Sequence, residues 1–173
     1  MRKFLTLLSL TLLLACQSES RPGGVKDPGR TILLTPQGEA VKTRVAFTEQ
    51  DQIQGLSGVK ADEFAEDEGL LFWYQDEGMR YFWMPDTYFD LDLFYLDKDL
   101  KITDIIRKLP HYIGRHNESL IPKAREVWSR HVLEMKASSP IAASLNVGDK
   151  LQWKAEMSLS ETEEAISKIL ESK

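Results

Sequence analysis

The sequence contains a single cysteine, Cys16, so no disulfide can form within one chain and the fold must depend on its apolar core. It also lacks an apolar run long enough to cross a bilayer. The stretch from Phe4 to Ala15 spans only about 18 Å as a helix, against roughly 30 Å of hydrocarbon. Positive charge is scarce as well, with 22 Lys and Arg against 27 Asp and Glu and a net charge of −5. This balance argues against broad nucleic-acid binding.

Common catalytic and cofactor signatures are absent too. The chain has no serine nucleophile elbow, no phosphate-binding loop, no dinucleotide fingerprint and no internal repeat, so we expect no cofactor. A metal site is the weaker interpretation. It would use His111, His116 and His131, with Met79 and Met84 as soft ligands for Cu(I), but a His-x₄-His spacing in a loop is not diagnostic.

The N-terminus carries the features of a processing signal. Arg2 and Lys3 precede the short apolar run, which is typical of a secretory signal. The run ends in Leu-Leu-Ala-Cys16, which resembles a bacterial lipobox. The resemblance implies cleavage before Cys16 and lipidation of its thiol; the alternative is an ordinary signal peptide with a chance cysteine. Gln17 resembles the outer-membrane sorting class, so we expect a lipid anchor in the cell envelope, on the periplasmic face of the outer membrane if the source is Gram-negative.

The chain length fits one domain with a real core. We divide it into a signal peptide (1–15), a lipidated cysteine with a flexible tether rich in Gly, Pro and Ser (16–29), a single β-rich domain (30–158) and a C-terminal helix (159–173). This division predicts that the membrane is reached only through the N-terminal lipid.

The most aromatic stretch of the chain is residues 68–97. Turn residues at 75–78 and 85–87 divide it into three runs of β-favouring residues, which predict three consecutive antiparallel strands along one hydrophobic core. In the last of these, Tyr88–Leu96, side chains alternate between two faces. Asp92 then shares a face with Phe94 and Leu96, where a carboxylate needs a partner.

Local signals predict most of the remaining elements. Together they favour a mainly β (α+β) fold, a compact antiparallel β-barrel-like or sandwich domain with two or three short helices. The predicted elements are a hairpin of strands 31–34 and 41–47, a helix capped by Thr48, a strand at 102–106, a strand Val127–Met135, a helix starting at Ser139-Pro140, a strand at 151–157 and a last helix with a capping box at Ser160–Glu163.

A set of short motifs occurs along the chain in a specific order and spacing. They are Val45-Ala46, Gln54-Gly55-Leu56, Glu68 to Phe72, Phe82-Trp83-Met84, Thr87, Leu91-Asp92, Val132-Leu133-Glu134 and Gly148-Asp149. Over about residues 41–153 this pattern resembles the exported bacterial and archaeal family Domain of Unknown Function 192 (DUF192). The resemblance implies a compact, mostly β, barrel-like domain, often behind a signal peptide or lipobox, with no settled activity. The chain departs from the pattern at Asp90, Asp86 and Ser57 to Val59, and it lacks the Cys pair of some members.

Our leading hypothesis is a non-catalytic binding domain for a small ligand, a glycan or an envelope protein. Its groove would be lined by Trp83, Thr87, Asp92 and Arg130. It would lie beside the long basic segment 107–125, which supplies Arg115 and is a candidate anion site. A solvated loop is the alternative for that segment. Trp83 either lines the groove or packs in the core, where we place Phe82 and Met84.

Three other interpretations stay open. Asp92 and Glu134 could be the paired carboxylates of a hydrolase acting on envelope carbohydrate, facing a cleft about 5–10 Å apart. Asp92 could instead be a structural carboxylate that accepts backbone N–H bonds or pairs with Arg130. Finally, the domain could be a scaffold whose uncovered apolar edge strand pairs with a partner.

Overall fold

The computed structural model describes residues 28–172, and nine strands and three α-helices lie within this range. The strands are β1 (Arg30–Leu34), β2 (Ala40–Ala46), β3 (Glu68–Phe72), β4 (Gly78–Arg80), β5 (Leu91–Leu96), β6 (Ile102–Leu109), β7 (Val127–Ser129), β8 (His131–Lys136) and β9 (Gln152–Lys154). The helices are α1 (Glu49–Gln54), α2 (Pro140–Ser144) and α3 (Leu159–Glu171). Short 3₁₀ turns occur at Ala61–Glu63 and Glu118–Leu120.

Seven of these strands form one sheet in the order β6-β5-β8-β3-β2-β1-β9, and β4 pairs with β7 in a second, two-stranded sheet. All neighbours in the large sheet are antiparallel except β2 and β3, which are parallel. A parallel pair needs a long crossover, and residues 47–67, which include α1, provide it. The fold is therefore mainly β with short helices, consistent with a sandwich-like α+β domain.

The prediction of three consecutive antiparallel strands in residues 68–97 is wrong. β3 and β5 both pair with β8, which lies between them, so they run parallel to each other. β4 leaves this sheet and pairs with β7. The buried strand β8 comes from a distant part of the chain, and the local pattern of residues 68–97 contains no signal for its insertion.

Of the two predicted architectures, the sandwich fits the structure and the closed barrel does not. Among the described strands, β6 and β9 stand at opposite ends of the sheet order. The segments that precede them meet at one isolated bridge, Lys101 with Lys150. The sheet is therefore not closed, and the parallel β2–β3 pair interrupts its antiparallel pattern.

The large sheet is covered on both faces. On one face Leu33, Leu71, Phe94 and Leu133 form a core that includes Ile166 of α3. On the other face, β3, β5 and β8 contribute side chains such as Phe72, Leu93, Tyr95 and Val132, which pack against Leu56, Phe64, Phe82, Met84 and Phe89 from the connecting segments. Because β5 and β8 are covered on both faces, all of their residues are buried. The sequence of β5 is a nearly continuous apolar run, whereas β8 also buries His131, Glu134 and Lys136.

Several local predictions are confirmed. β1 and β2 form the expected hairpin, with Leu34 opposite Ala40. The Thr48 hydroxyl accepts a hydrogen bond from the amide of Asp51 at 3.1 Å and caps α1. Ser139 caps α2 in the same way. These signals act within a few residues of chain.

Three predicted bounds are wrong. The strand predicted at Val127–Met135 is broken at Arg130, because β7 and β8 belong to different sheets. The strand predicted at 151–157 is only three residues long, Gln152–Lys154. The capping box of the last helix uses Ser158 and Glu161, two residues earlier than expected.

The predicted signal peptide, Cys16 and most of the predicted tether lie outside the described residues. Within residues 28–172, no helix combines the length and apolarity that a membrane crossing requires.

Candidate functional site

A cleft of about 310 Å³ opens on the face of the sheet opposite α3. Its floor is built by three neighbouring strands, through Phe72 of β3, Leu91 of β5 and Glu134 of β8. The end of α1 forms one wall and residues 81–87 form the other. The volume lies at the lower end of the range for small-molecule sites.

The wall at residues 81–87 is an extended segment with alternating side chains. Phe82 and Met84 are buried, as predicted, whereas Trp83 is 42% exposed and lines the cleft. The backbone is held by the segment that follows β6. The amide of Met84 donates to the carbonyl of Pro122 at 3.1 Å, and the amide of Ala124 donates to the carbonyl of Phe82 at 2.8 Å.

A tight turn at Asp86 completes this wall. Asp86 has a φ of 51°, a conformation that Asp and Asn tolerate better than most residues. Its carbonyl accepts from the amide of Gly58 at 2.8 Å, and its carboxylate accepts from the amide of Gly114 at 3.1 Å. The amide of Thr87 donates to the carbonyl of Tyr112 at 2.9 Å. Part of the predicted basic loop therefore fixes the wall, and the same loop brings exposed Arg115 to the cleft.

The opposite wall depends on Gly55, which ends α1 with a φ of 50°. A Cβ atom at this position would lie 3.3 Å from the Cζ atom of the Phe72 ring, so a side chain would crowd the floor. The side-chain amide of Gln52 donates to the carbonyl of Trp73 at 2.7 Å and ties α1 to the end of β3. Both walls are therefore attached to the sheet before any ligand arrives.

Glu134 is the unusual residue of the cleft. It is 4% exposed and lies between Leu70 of β3 and Leu93 of β5 in the strand register. No hydrogen bond or ion pair joins its carboxylate to any residue within 28–172, whereas the buried hydroxyls of Ser57 and Thr87 both donate to the carbonyl of Pro85. Burial alone raises the pKa of Glu134 to about 8. An unpaired buried acid with a perturbed pKa in a cleft indicates a functional site.

Two tyrosines share this environment. Burial raises the pKa of Tyr74, which lines the cleft, to about 12, and it raises the pKa of Tyr95 as well. The hydroxyl of Tyr95 is buried, and no residue in the described range hydrogen-bonds to it. Both tyrosines stay neutral near pH 7, so they add no negative charge beside Glu134, and a tyrosine has no cationic form that could balance its carboxylate.

Asp92 lies on the opposite face of the sheet and has a structural partner. Its Oδ2 atom is 2.6 Å from Nη1 of Arg107, and its Oδ1 atom accepts from the amide of Lys108 at 2.8 Å. The two basic residues oppose Asp92 in a β-bulge between β5 and β6. Arg107 also donates to the carbonyls of Ala142, at 2.7 Å, and Leu145. The ion pair therefore attaches the bulge to the end of α2.

The predicted pairing of Asp92 with Arg130 is wrong, because Arg130 pairs with Glu163 of α3. Leu93 lies opposite Glu134 in the register and Asp92 lies opposite Met135. Since directly opposed residues point to the same face, Asp92 and Glu134 point to opposite faces of the sheet. They do not form the paired carboxylates of a glycosidase cleft.

The structure thus brings together only part of the predicted site. Trp83, Thr87, Arg115 and Glu134 line one cleft, whereas Asp92 and Arg130 lie elsewhere. Sequence reasoning missed the wall formed by α1. Its Gln54-Gly55-Leu56 motif belongs to the family-matching residues and was the available signal.

The histidines do not come together. His111 Nδ1 is 2.6 Å from the carboxylate of Asp90, and His131 is buried against the ring of Trp73. Within residues 28–172, no group of three or more His, Cys, Asp or Glu side chains has an arrangement that could hold a metal ion.

A larger cavity of about 580 Å³ lies beside β1, β2 and β9. Its buried polar side chains are all paired. The hydroxyls of Thr31, Thr43 and Thr162 each donate to a backbone carbonyl. Because no buried group there needs a ligand to satisfy it, we regard the smaller cleft as the better candidate site.

Comparison with known proteins identifies the family. No curated protein matches the chain. The fold resembles a crystal structure from Sinorhizobium meliloti 1021, described as a candidate transcription regulator, with a TM-score of 0.55, 25% identity and coverage of 72% of this chain and 92% of that chain. It also resembles a protein of unknown function from Novosphingobium aromaticivorans DSM 12444, with a TM-score of 0.56, 22% identity and coverage of 72% and 84%. The model of the DUF192 family, described as Uncharacterized ACR, matches residues 32–153. The chain therefore belongs to the DUF192 family.

Proposed function

We propose that this domain is a non-catalytic binding module whose cleft holds a small ligand with a flat or apolar body. The observation that carries the proposal is the unpaired carboxyl of Glu134 at the floor of an aromatic-lined cleft. Tyr81 and Trp83 line the cleft while remaining 50% and 42% exposed, so their rings are available to a ligand. Aromatic rings pack on flat ligands and on the apolar faces of sugars.

Fixed walls favour binding. The main-chain hydrogen bonds of residues 82–87 and the tie between Gln52 and Trp73 keep the cleft open without a ligand. A preformed site loses little entropy when it binds. The flat or apolar group that packs in the cleft could belong to a free small molecule, to a glycan or to a side chain of an envelope protein.

The two rival functions receive less support. A hydrolase built on Asp92 and Glu134 would need both carboxylates in one cleft, and they face opposite sides of the sheet. A strand-pairing scaffold would need a long apolar edge. β9 has three residues, two of them exposed, and β6 is buried mainly at its two ends.

The first test measures the binding of two small aromatic probes, benzyl alcohol and benzylamine. The readout is the change in backbone amide NMR shifts as each probe is added. We expect the shifts to concentrate at residues 52–57 and 81–87. Trp83→Ala should weaken binding at least about tenfold, because a buried ring contact contributes about 1.4 kcal/mol or more. The matched control is Trp128→Ala, which removes a ring that is 60% exposed outside the cleft and should leave affinity within about twofold. Absence of shifts in the cleft, or equal effects of the two substitutions, would contradict the proposal.

We also propose that the domain acts in the cell envelope, tethered by a lipid on Cys16. The support is the lipobox-like sequence and the use of the chain's single cysteine at the position that a lipobox requires. Labelled fatty acid should enter the wild-type protein, be lost in Cys16→Ser and be retained in the control Ser18→Ala. Labelling that survives Cys16→Ser would refute lipidation at this residue.

A further inference from the structure

The floor of the cleft holds an acid, Glu134, that is costly to ionise, because burial disfavours the charged form and no described residue pairs with it. Glu134 sits among apolar side chains from three strands, and no cation of the described chain reaches its carboxylate. Removing a carboxylate from water without a partner is costly. The remaining open side of Glu134 is the cleft itself. A group that satisfies this carboxylate must therefore enter through the cleft.

The aromatic rings around Glu134 indicate which kind of ligand group would pair with its carboxylate. Tyr74, Phe82 and Trp83 line the cleft together with Phe72 and Tyr81. Aromatic faces attract cations, most strongly where water is excluded. One such contact already exists at the edge of the site, where the guanidinium of Arg80 lies 3.7 Å from the centre of the Tyr74 ring. A cation with N–H donors would satisfy the carboxylate and the rings at once.

We propose that the cleft selects ligands that carry a protonated primary or secondary amine, whose N–H groups donate to Glu134 while the ligand body packs against Trp83 and the neighbouring rings. The inference rests on the proposed function and names the chemical class of its ligand. Exposed Arg115 lines the same cleft. It favours amines that also carry an anionic or polar group at the other end, such as amino sugars, amino-acid derivatives or a lysine side chain with its backbone.

The charge balance of binding gives a measurable signature. Below pH 8 the free cleft holds Glu134 mostly as the neutral acid, since burial raises its pKa to about 8. An ammonium ligand needs the carboxylate, so Glu134 releases one proton to solvent when the ligand binds. Apparent affinity should then rise about tenfold per pH unit from pH 6 to pH 8. The other titratable groups near Glu134 are Tyr74 and Tyr95, both neutral in this range, with Glu49 and Arg115 at the cleft and Arg80 beyond Tyr74.

The experiment compares benzylamine with its uncharged analogue benzyl alcohol by isothermal titration calorimetry on the complete domain. We expect benzylamine to bind at least about tenfold more tightly at pH 8, with proton release at pH 7 shown by a dependence of the heat on the buffer. Glu134→Gln should abolish the preference for benzylamine and the proton release. The matched control is Glu126→Gln, which removes an exposed carboxylate outside the cleft and should preserve both.

The outcomes separate this inference from the proposed function. Equal, Trp83-dependent binding of both probes would leave the proposed function intact and overturn the selection of amines. Affinity that falls between pH 6 and pH 8 would also overturn it, because it would mean that neutral Glu134 donates to a ligand oxygen. Binding of neither probe would overturn both proposals. Since the pH profile needs only the wild-type protein, the test does not depend on the folding of Glu134→Gln.

Discussion

Glu134 and Asp92 show how two acids in neighbouring strands acquire different roles. Each has an apolar sequence context and each is almost fully buried, at 4% and 3% exposure. The difference is the partner, because Arg107 reaches Asp92 whereas no described residue reaches Glu134. A partner across a bulge cannot be identified from one sequence, which is why Arg130 was the wrong expectation and why Glu134 was considered only as a catalytic acid.

The burial of Glu134 predicts a pH dependence of stability. The pKa of this group rises from 4.5 in the unfolded chain to about 8 in the folded one, so the folded state holds the proton more tightly. The stabilisation that comes from this tighter proton binding by Glu134 is complete below pH 4.5 and is lost as the pH rises to about 8. Relative to Glu134→Gln, the unfolding free energy of the wild-type protein should fall by about 1.4 kcal/mol per pH unit in this window.

Urea denaturation at several pH values measures this difference. Glu49→Gln is the matched control, because its carboxylate is exposed and should leave the slope unchanged. Parallel stability curves for the wild-type protein and Glu134→Gln would contradict the burial of an unpaired acid at this position.

At the scale of elements, the bulge between β5 and β6 joins the sheet to α2. Lys108 adopts a φ of 52° there, and Asp92 accepts its amide hydrogen while pairing with Arg107. The same guanidinium contacts two carbonyls at the end of α2. The Leu91-Asp92 motif of the family therefore has a structural explanation in this chain.

Removing this acid should destabilise the fold without changing the cleft. Asp92→Ala leaves the Arg107 guanidinium without its buried partner, and we expect a loss of about 3 kcal/mol in the free energy of unfolding. Asp104→Ala is the control, because the Asp104–Arg125 pair is more exposed, with side chains 31% and 58% accessible, and should cost less than about 1 kcal/mol. Urea denaturation measures both losses of unfolding free energy. If Asp92→Ala and Asp104→Ala cost about the same, or if folded Asp92→Ala binds the probes more weakly, Asp92 does not have a purely structural role.

The elements that sequence reasoning predicted well are those with local signals. The β1–β2 hairpin, α1 and α2 are specified by a turn or a cap within a few residues, such as Thr48 or Ser139. The start of α3 was misplaced because Ser158 and Ser160 are each followed three residues later by Glu, and only contacts elsewhere in the fold decide between two such boxes.

At the scale of the whole molecule, strand order was the property that the sequence did not reveal. β8 pairs with both β3 and β5, although some sixty and forty residues separate it from them along the chain. Alternation correctly placed Phe94 and Leu96 of β5 on one face, and Leu91 and Leu93 lie on the other. The alternation of side chains along a strand shows which residues share a face, but not which strands are adjacent in the sheet. Because the cleft needs three adjacent strands, it was only partly predictable.

The same architecture explains how one domain can hold both a structural acid, Asp92, and the acid that we propose binds a ligand, Glu134. One face of the sheet is closed by α2 and α3, and the Asp92–Arg107 pair belongs to that side. The other face is closed by connecting segments, which leave the cleft above Glu134. A ligand in the cleft completes the second face, so we infer that binding and stability are coupled through Glu134.

A carbon-13 NMR titration of the Glu134 side-chain carboxyl, assigned with Glu134→Gln, tests this account most directly. We predict a midpoint near pH 8 in the free protein and a shift to lower pH when benzylamine saturates the cleft. A midpoint near the ordinary value of 4.5 that benzylamine does not move would contradict it.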